Sequence, residues 1–206
     1  MNSDTQLSQT LFAMIEHAGQ AALNAVDPEQ AIAILMKACH ETLGDRQAHL
    51  TPGALKPGEH QYLVAGAFFV TPDQKYHMLT GSIGFPPEQQ RLMIPIDGGH
   101  PGHVYETQQK LILKNTDEHG AFRQYLKSSR MGSALYAPMI WNGTFIGQLL
   151  VAAQARNTMR DLDLAALVAI ARLATAIWVA KGGLAWTDSN YPPSNGFYAG
   201  KEGVNS

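Results

Sequence analysis

Apolar positions near the two ends of the chain follow the spacing of amphipathic helices. The pattern predicts one helix near residues 5–25 and a second that begins after Asp27 and ends at Gly44. Asp27 can accept hydrogen bonds from the first free amides of the second helix, and Pro28 lacks the amide that would have no partner there. A third helix is predicted over about 161–181.

Between these helices, short β-favouring runs alternate with turns rich in glycine and proline. Six strands are predicted, at residues 62–70, 76–83, 92–96, 110–114, 133–141 and 144–153. Asn142-Gly143 specifies a tight type I′ hairpin between the last two strands. Short helices are predicted over residues 101–108 and 121–127. This order is typical of an α+β fold, with one antiparallel sheet, the terminal helices on one face, and loops and short helices over the other.

Composition narrows the classes of function. The chain has 206 residues, a net charge of −2 and one cysteine, Cys39. Without a basic excess we expect no nucleic-acid binding, and one cysteine forms neither an intrachain disulfide nor a multi-cysteine metal site. No secretory signal is visible, and Arg172 interrupts the most apolar stretch, so we expect a cytoplasmic protein with no membrane span.

Several segments together resemble the GAF domain, a family of small-molecule sensory domains. The main ones are Gly98–Thr107 with its Gly-Gly-His-Pro-Gly start, Met131–Met139 with Ser-Ala-Leu-Tyr-Ala-Pro, and Gly143–Leu149 with Gly-Thr-Phe-Ile-Gly-Gln-Leu. They occur in the family's order over about residues 10–182. The resemblance implies a central six-stranded antiparallel sheet and a ligand pocket on the face away from the terminal helices.

We expect a domain over 1–182 with its core at about 10–182, followed by a tail rich in glycine, proline and aromatic residues over 183–206. The resemblance implies no single ligand. The cyclic-nucleotide pattern of the family is missing at Asn115 and Phe122, and Cys39 lies before the sheet, where it does not match a bilin attachment site. Members that reduce free methionine sulfoxide use several cysteines. The ligand and any cofactor therefore remain unidentified.

The turn from Gly98 to Gly102 is the first candidate binding site. Free amides and the positive end of the helix dipole attract an anion or a ligand carbonyl at such a helix start, although the same glycines also suit a tight turn alone. An apolar lining is expected beside the turn, from one parity of each strand. The predicted ligand-binding residues are Phe69, Met78, Phe85, Ile96, Gly98, Gly99, His100, Gly102, His103, Val104, Ile112, Tyr125 and Leu135, with Phe122 as a further lining residue.

Histidine indicates a second possible chemistry. His100 and His103 are three residues apart, and His77 or His119 would be the third ligand of a metal or haem site. The commoner role of such residues is hydrogen bonding or surface exposure. No nucleophile motif or pair of carboxylates indicates acyl transfer or hydrolysis, so a metal- or haem-dependent redox protein or enzyme is an alternative rather than the leading hypothesis.

The leading hypothesis is a sensor without a fused output domain. A small molecule or anion would bind between the sheet and residues 84–104, and would change what the terminal helices present to a separate signalling protein. The last helix carries few charges, so its outer face either packs on the sheet or forms a homodimer with a second copy. A dimeric interaction module with no ligand is a further alternative.

Overall fold

The computed structural model describes residues 3–120, 123–127 and 130–199. Five helices are present in these residues: α1 (Ser3–Leu23), α2 (Pro28–Thr42), α3 (Gly99–Thr107), α4 (Asp161–Ala180) and α5 (Gly183–Ser189). Seven strands accompany them: β1 (Leu63–Val70), β2 (Tyr76–Ile83), β3 (Leu92–Pro95), β4 (Leu111–Leu113), β5 (Ser133–Trp141), β6 (Thr144–Ala153) and β7 (Phe197–Tyr198). The predicted α+β class is confirmed.

One sheet contains all seven strands in the order β4-β5-β6-β1-β2-β3-β7. Every neighbouring pair is antiparallel except β3 and β7, which are parallel. The predicted count of six antiparallel strands is corrected here, because the tail adds the seventh. The amide of Phe197 donates to the carbonyl of Arg91 at 2.9 Å, and the amide of Ala199 donates to that of Met93 at 2.9 Å.

Local sequence signals account for the other element boundaries. Asp27 caps α2 by accepting from the amide of Gln30 at 2.8 Å. Asn142 and Gly143 both have positive φ, at 49° and 77°, as a type I′ turn requires. The helix predicted over 121–127 is not formed by residues 123–127, which are irregular, while residues 121 and 122 lie outside the described residues.

The sheet is buried on both faces. Helices α1, α2 and α4 cover one face, here called the helix face, where the ring of Phe69 stacks on Trp178 with 3.8 Å between centroids. The opposite face, here called the outer face, forms a second core with α3 and the irregular connections. Strands buried on both faces carry apolar residues at consecutive positions, so their side chains do not alternate in polarity.

Helix α4 is the most apolar element. Within the described residues it is the one helix long and apolar enough to cross a membrane, with a mean hydropathy of 1.9 over its most apolar window. Of that window, 56% is buried inside the fold. Core helices meet the same criterion, and α4 packs against β5, α1 and α2.

Candidate functional site

An apolar cavity of about 40 Å³ lies on the outer face of the sheet. Its floor comes from β1, β3, β5 and β6, and an irregular segment at residues 123–126 forms its roof. The cavity is lined by Phe68, Phe85, Leu92, Ile94, Pro101, Arg123, Gln124, Tyr125, Leu126, Met131, Ala134, Tyr136, Leu150 and Ala152. A volume of this size holds a few water molecules, so a larger molecule enters only if the roof moves.

Two glutamine side chains hold the roof in place. Gln89 is fully buried; its Nε2 donates to the carbonyl of Tyr125 at 2.8 Å, and its Oε1 accepts from the amide of Lys127 at 2.9 Å. Gln124 Nε2 donates to the carbonyl of Leu126 within the roof at 2.7 Å, and its Oε1 accepts from the amide of Met131, outside the roof, at 3.3 Å. Residues 123–127 form no helix or strand, so these side-chain bonds take the place of a regular backbone ladder.

Two tyrosines, Tyr125 and Tyr136, contribute hydroxyl groups to a largely apolar wall. Burial raises the pKa of Tyr136 above its usual range, and it also raises the pKa of Tyr125. Both phenols are therefore neutral at pH 7 and serve as hydrogen-bonding groups rather than charges. Among the described residues that line the cavity, Arg123 is the one that carries a charge.

The glycine turn does not face this cavity. Only Pro101 of the turn reaches the cavity wall. A Cβ on Gly98 would lie 2.7 Å from the Tyr125 hydroxyl, so this glycine permits the tyrosine to pack closely. The prediction that the backbone donors near Gly99 are aimed into the ligand cavity is therefore corrected: close packing and the positive φ of +54° at Gly99 are the reasons that this turn needs glycine.

The other side of the glycine turn borders a shallow surface depression of about 450 Å³. Ile96, Gly99, Gly102 and His103 line it together with Asp97, Tyr105 and Glu106. An anion at this start of α3 would face two carboxylates, which offset the attraction of the helix dipole. The geometry therefore favours no anion site in the depression.

Two of the predicted histidines, His100 and His119, lie close together, but the described residues supply no third ligand beside them. His100 is buried with its ring 6.3 Å from that of Tyr136 and 5.9 Å from that of His119, whereas His103 is exposed. His77 lies under α3 and its Nε2 is 3.0 Å from the carbonyl oxygen of Ile96. Among the residues that the structure describes, no three His, Cys, Asp or Glu side chains are grouped to hold a metal ion.

Four predicted lining residues lie on the wrong face of the sheet. Phe69 and Leu135 belong to the core of the helix face, and Ile112 packs against that core. Met78 is the direct cross-strand partner of Phe69, so it shares that face. Successive residues of a strand point to opposite faces, so these four cannot reach the outer cavity.

Two of the thirteen predicted residues, Phe85 and Tyr125, do line the cavity. Val104 is fully buried in the outer core close to them without reaching the cavity wall. Four of the lining residues that the sequence prediction missed lie on predicted strands: Phe68, Ala134, Tyr136 and Ala152. Phe68 and Tyr136 are the immediate neighbours of the predicted residues Phe69 and Leu135. On these two strands the prediction therefore chose the side chains of the wrong face. Phe122 lies outside the described residues.

Comparison with known proteins identifies the family to which this fold belongs. The family model for the GAF domain matches residues 27–177. The GAF domain of an Acinetobacter phosphoenolpyruvate-protein phosphotransferase superposes with a TM-score of 0.67 at 14% identity, over 89% of this chain and 98% of that one. Its counterpart from Coxiella burnetii gives 0.67 at 21% identity, over 85% and 98%.

A free methionine-R-sulfoxide reductase from Neisseria meningitidis, solved in complex with its substrate, also shares the fold. Its TM-score is 0.68 at 15% identity, over 89% of this chain and 96% of that one. No protein of curated function matches the chain. Sequence identities this low show a common fold and carry no information on a common activity.

The sheet with helices on one face and a roofed cavity on the other defines a ligand-binding regulatory domain. The chain belongs to the GAF domain family, whose model covers most of its length.

Proposed function

We propose that this GAF domain is a cytoplasmic sensor of a small, largely apolar molecule, and that it acts through a separate signalling protein. The observation that carries the proposal is the apolar cavity on the outer face, whose roof is held by side-chain hydrogen bonds rather than by a helix or strand. A roof of this construction opens at the cost of a few hydrogen bonds, without unfolding any regular element.

The lining indicates the chemistry of the ligand. Aromatic rings of Phe68, Phe85 and Tyr136 form much of the wall, and they favour a planar or branched apolar group. Arg123 in the roof is the charged residue of the described lining that a carboxylate would pair with. We therefore propose a small aromatic or branched-chain carboxylic acid as the ligand class.

Roof movement would connect binding to signalling. At about 40 Å³ the cavity excludes such an acid while the roof is closed, so the ligand binds only the open form. A ligand shifts a two-state equilibrium by its difference in affinity for the two states, and about 1.4 kcal/mol of difference changes the ratio tenfold. The open form would be the one that the partner protein distinguishes.

Thiol chemistry receives no support from Cys39, although one structural neighbour is a reductase. Burial raises the pKa of this thiol to about 12, and the residue lies fully buried on α2. A protonated, inaccessible thiol is neither a nucleophile nor a redox centre. The histidine-based alternative likewise lacks a third ligand among the described side chains.

A thermal-shift titration tests the proposed function. Benzoate, phenylacetate and branched 2-oxo acids are compared with their neutral amides, and we expect an acid to raise the melting midpoint of the wild-type protein. Ala152→Val narrows the cavity and is expected to abolish the shift, whereas Ala13→Val on the exposed side of α1 leaves it intact. If no acid moves the midpoint, the small cavity volume favours a ligand-free interaction module instead.

A further inference from the structure

The edge of the sheet at β3 is covered by the C-terminal strand of the same chain. Strand β7 runs parallel to β3, and the amides of Phe197 and Ala199 donate to the carbonyls of Arg91 and Met93, both at 2.9 Å. Unpaired amides and carbonyls along a sheet edge readily bind another extended segment. Release of β7 would turn the carbonyls of Arg91 and Met93 into such an edge.

Strand β7 is held on this edge by a short ladder and little buried surface. Two residues of β7 pair with β3, whereas β1 pairs with β6 along most of its length. Among the described residues that follow α5, Ala199 is the one that is buried. Side chains add an exposed hydrogen bond from the Tyr191 hydroxyl to Asp73 at 2.8 Å and an edge-to-face contact between Tyr198 and Tyr76. A segment held in this way opens locally, without unfolding the rest of the sheet.

The roof of the cavity contacts β7 through Lys127. The amide of Lys127 donates to Oε1 of Gln89, the residue that holds the roof, and its ammonium group lies 4.7 Å from the centre of the Phe197 ring. The attraction between a cation and an aromatic ring needs this short distance. On β3 itself, Leu92 and Ile94 line the cavity. Movement of the roof away from the sheet would therefore weaken the attachment of β7.

The strand that occupies the edge shows which kind of segment fits there. Such a segment is extended, runs parallel to β3 and offers two amide donors that are two residues apart. Phe197 shows that an aromatic ring fits beside Lys127, and Ala199 shows that a small residue fits where the segment enters the outer core. The matching segment of another protein therefore has an aromatic residue followed two positions later by a small one.

We propose that the edge of β3 is the docking site for an extended segment of the separate signalling protein, and that β7 occupies this site until the roof opens. The proposal rests on the proposed function for the event that opens the roof. Release of β7 exposes the carbonyls of Arg91 and Met93, and the partner's segment then adds to the sheet through the same two hydrogen bonds. The domain thus conceals its docking site while the cavity is closed.

A peptide with the sequence of residues 191–199 tests the docking site, labelled with fluorescein and followed by fluorescence anisotropy. In the full chain, Ala199→Asp is expected to detach β7 because a carboxylate does not fit this buried position. We expect Ala199→Asp to bind the peptide at least about tenfold more tightly than the wild-type protein, whose own strand competes at an effective concentration on the order of 1 mM. Ser194→Asp adds the same charge at an exposed position of the segment; it is the matched control and should bind like wild type.

A second peptide carries N-methyl groups on the amides that correspond to Phe197 and Ala199, and it should bind Ala199→Asp at least about tenfold more weakly. Equal binding of both peptides overturns the proposal, because the contact would then lie outside the ladder. No binding to Ala199→Asp at about 1 mM peptide also overturns it. A wild-type dimer in analytical ultracentrifugation that Ala199→Asp abolishes would assign the edge to β7 of a second copy instead. The assay contains no cavity ligand, so its failure and a failure of acids to bind in the cavity are separate results.

Hydrogen exchange of the wild-type protein tests the release of β7 without any variant at its own positions. The amides of Phe197 and Ala199 should exchange at least about tenfold faster than those of β1 and β6, because a short edge strand opens without global unfolding. Gln89→Ala should accelerate exchange at these two amides further, whereas Gln20→Ala on the exposed side of α1 should not. Exchange in β7 as slow as in β1 would show that the strand is not displaced. Unchanged exchange of β7 in Gln89→Ala would overturn its release by the roof.

Discussion

At the scale of single residues, His77 is a polar side chain that is buried in the outer core. The ring is fully buried beneath α3, with the rings of Tyr105 and Phe145 at 5.8 and 6.2 Å. Its Nε2 meets the carbonyl of Ile96, while Nδ1 has no hydrogen-bond partner. Burial is the main cause that lowers the pKa of His77 to about 4, so the ring is neutral in the folded protein at pH 7.

This burial makes stability depend on pH. Between pH 6.5 and about 4 the unfolded chain binds a proton at His77 and the folded protein does not, so stability falls as the pH is lowered through that range. The linkage amounts to about 3 kcal/mol at full effect. Urea unfolding at pH 7 and pH 5 should show the loss, and His77→Gln should reduce it; an unchanged pH dependence in the variant would contradict the assignment.

Gly102 shows a steric requirement inside a helix. A Cβ at this position would lie 2.3 Å from the carbonyl carbon of Asp97, which is backbone and has little freedom to move. Gly102→Ala should therefore destabilise the protein by about 1–3 kcal/mol, in spite of the better helix propensity of alanine. Gly120→Ala, where nothing lies within 4 Å, is the control and should be neutral in the same chemical denaturation experiment.

At the scale of elements, the roof of the cavity depends on a residue far away in sequence. Gln89 belongs to a short 3₁₀ turn, Pro87–Gln89. Its side-chain amide binds both the carbonyl of Tyr125 and the amide of Lys127. A side chain that satisfies two backbone groups replaces the backbone hydrogen bonds that a helix would have supplied. The roof is consequently the weakest-held wall of the cavity.

Gln89→Ala should loosen this roof. The variant removes both hydrogen bonds of Gln89 to the backbone of Tyr125 and Lys127, so we expect a loss of about 1–3 kcal/mol in unfolding free energy. Hydrogen exchange at the amide of Lys127 should accelerate while exchange in β5 and β6 stays slow. Gln20→Ala on the exposed side of α1 serves as control, and equal protection of Lys127 in both variants would disprove the role of Gln89.

The strands show which part of the site was predictable. Adjacent phenylalanines at 68 and 69 identify β1 as a buried strand, and the type of element was predicted correctly. Both faces of this strand are buried, however, so Phe68 and Phe69 both lie in apolar surroundings. Phe69 was predicted to line the cavity, but Phe68 lines it instead. The local pattern of apolar residues does not indicate which face of a strand packs against the helices.

At the scale of the whole molecule, the tail joins the two layers. Helix α5 packs Trp186 against Trp178 with 5.5 Å between ring centroids, and the hydroxyl of Tyr191 donates to Asp73 at 2.8 Å. The chain then reaches the far edge of the sheet as β7, where Ala199 is buried in the outer core. Residues 183–199 of the predicted tail thus pack against the helices and the edge of the sheet.

Removal of residues 183–206 should expose Trp178 and the edge of β3. We expect a loss of about 3 kcal/mol or more in unfolding free energy and a greater tendency to aggregate, because an aromatic core residue and a strand edge become accessible. Tyr191→Phe removes one exposed hydrogen bond and should cost no more than about 1 kcal/mol. Chemical denaturation and light scattering measure both effects, and a truncated protein as stable as wild type would contradict this role.

The amino-acid sequence alone determined the elements and their order, because helical periodicity, capping at Asp27 and the turn at Asn142 act over a few neighbouring residues. It also sufficed for the GAF family, whose motifs are read along the chain. The tertiary structure decided which side of each strand faces the cavity, that Gln89 holds the roof, and that the tail closes the sheet edge. Those outcomes depend on contacts between residues far apart in sequence, and such contacts leave no periodic trace in the chain itself.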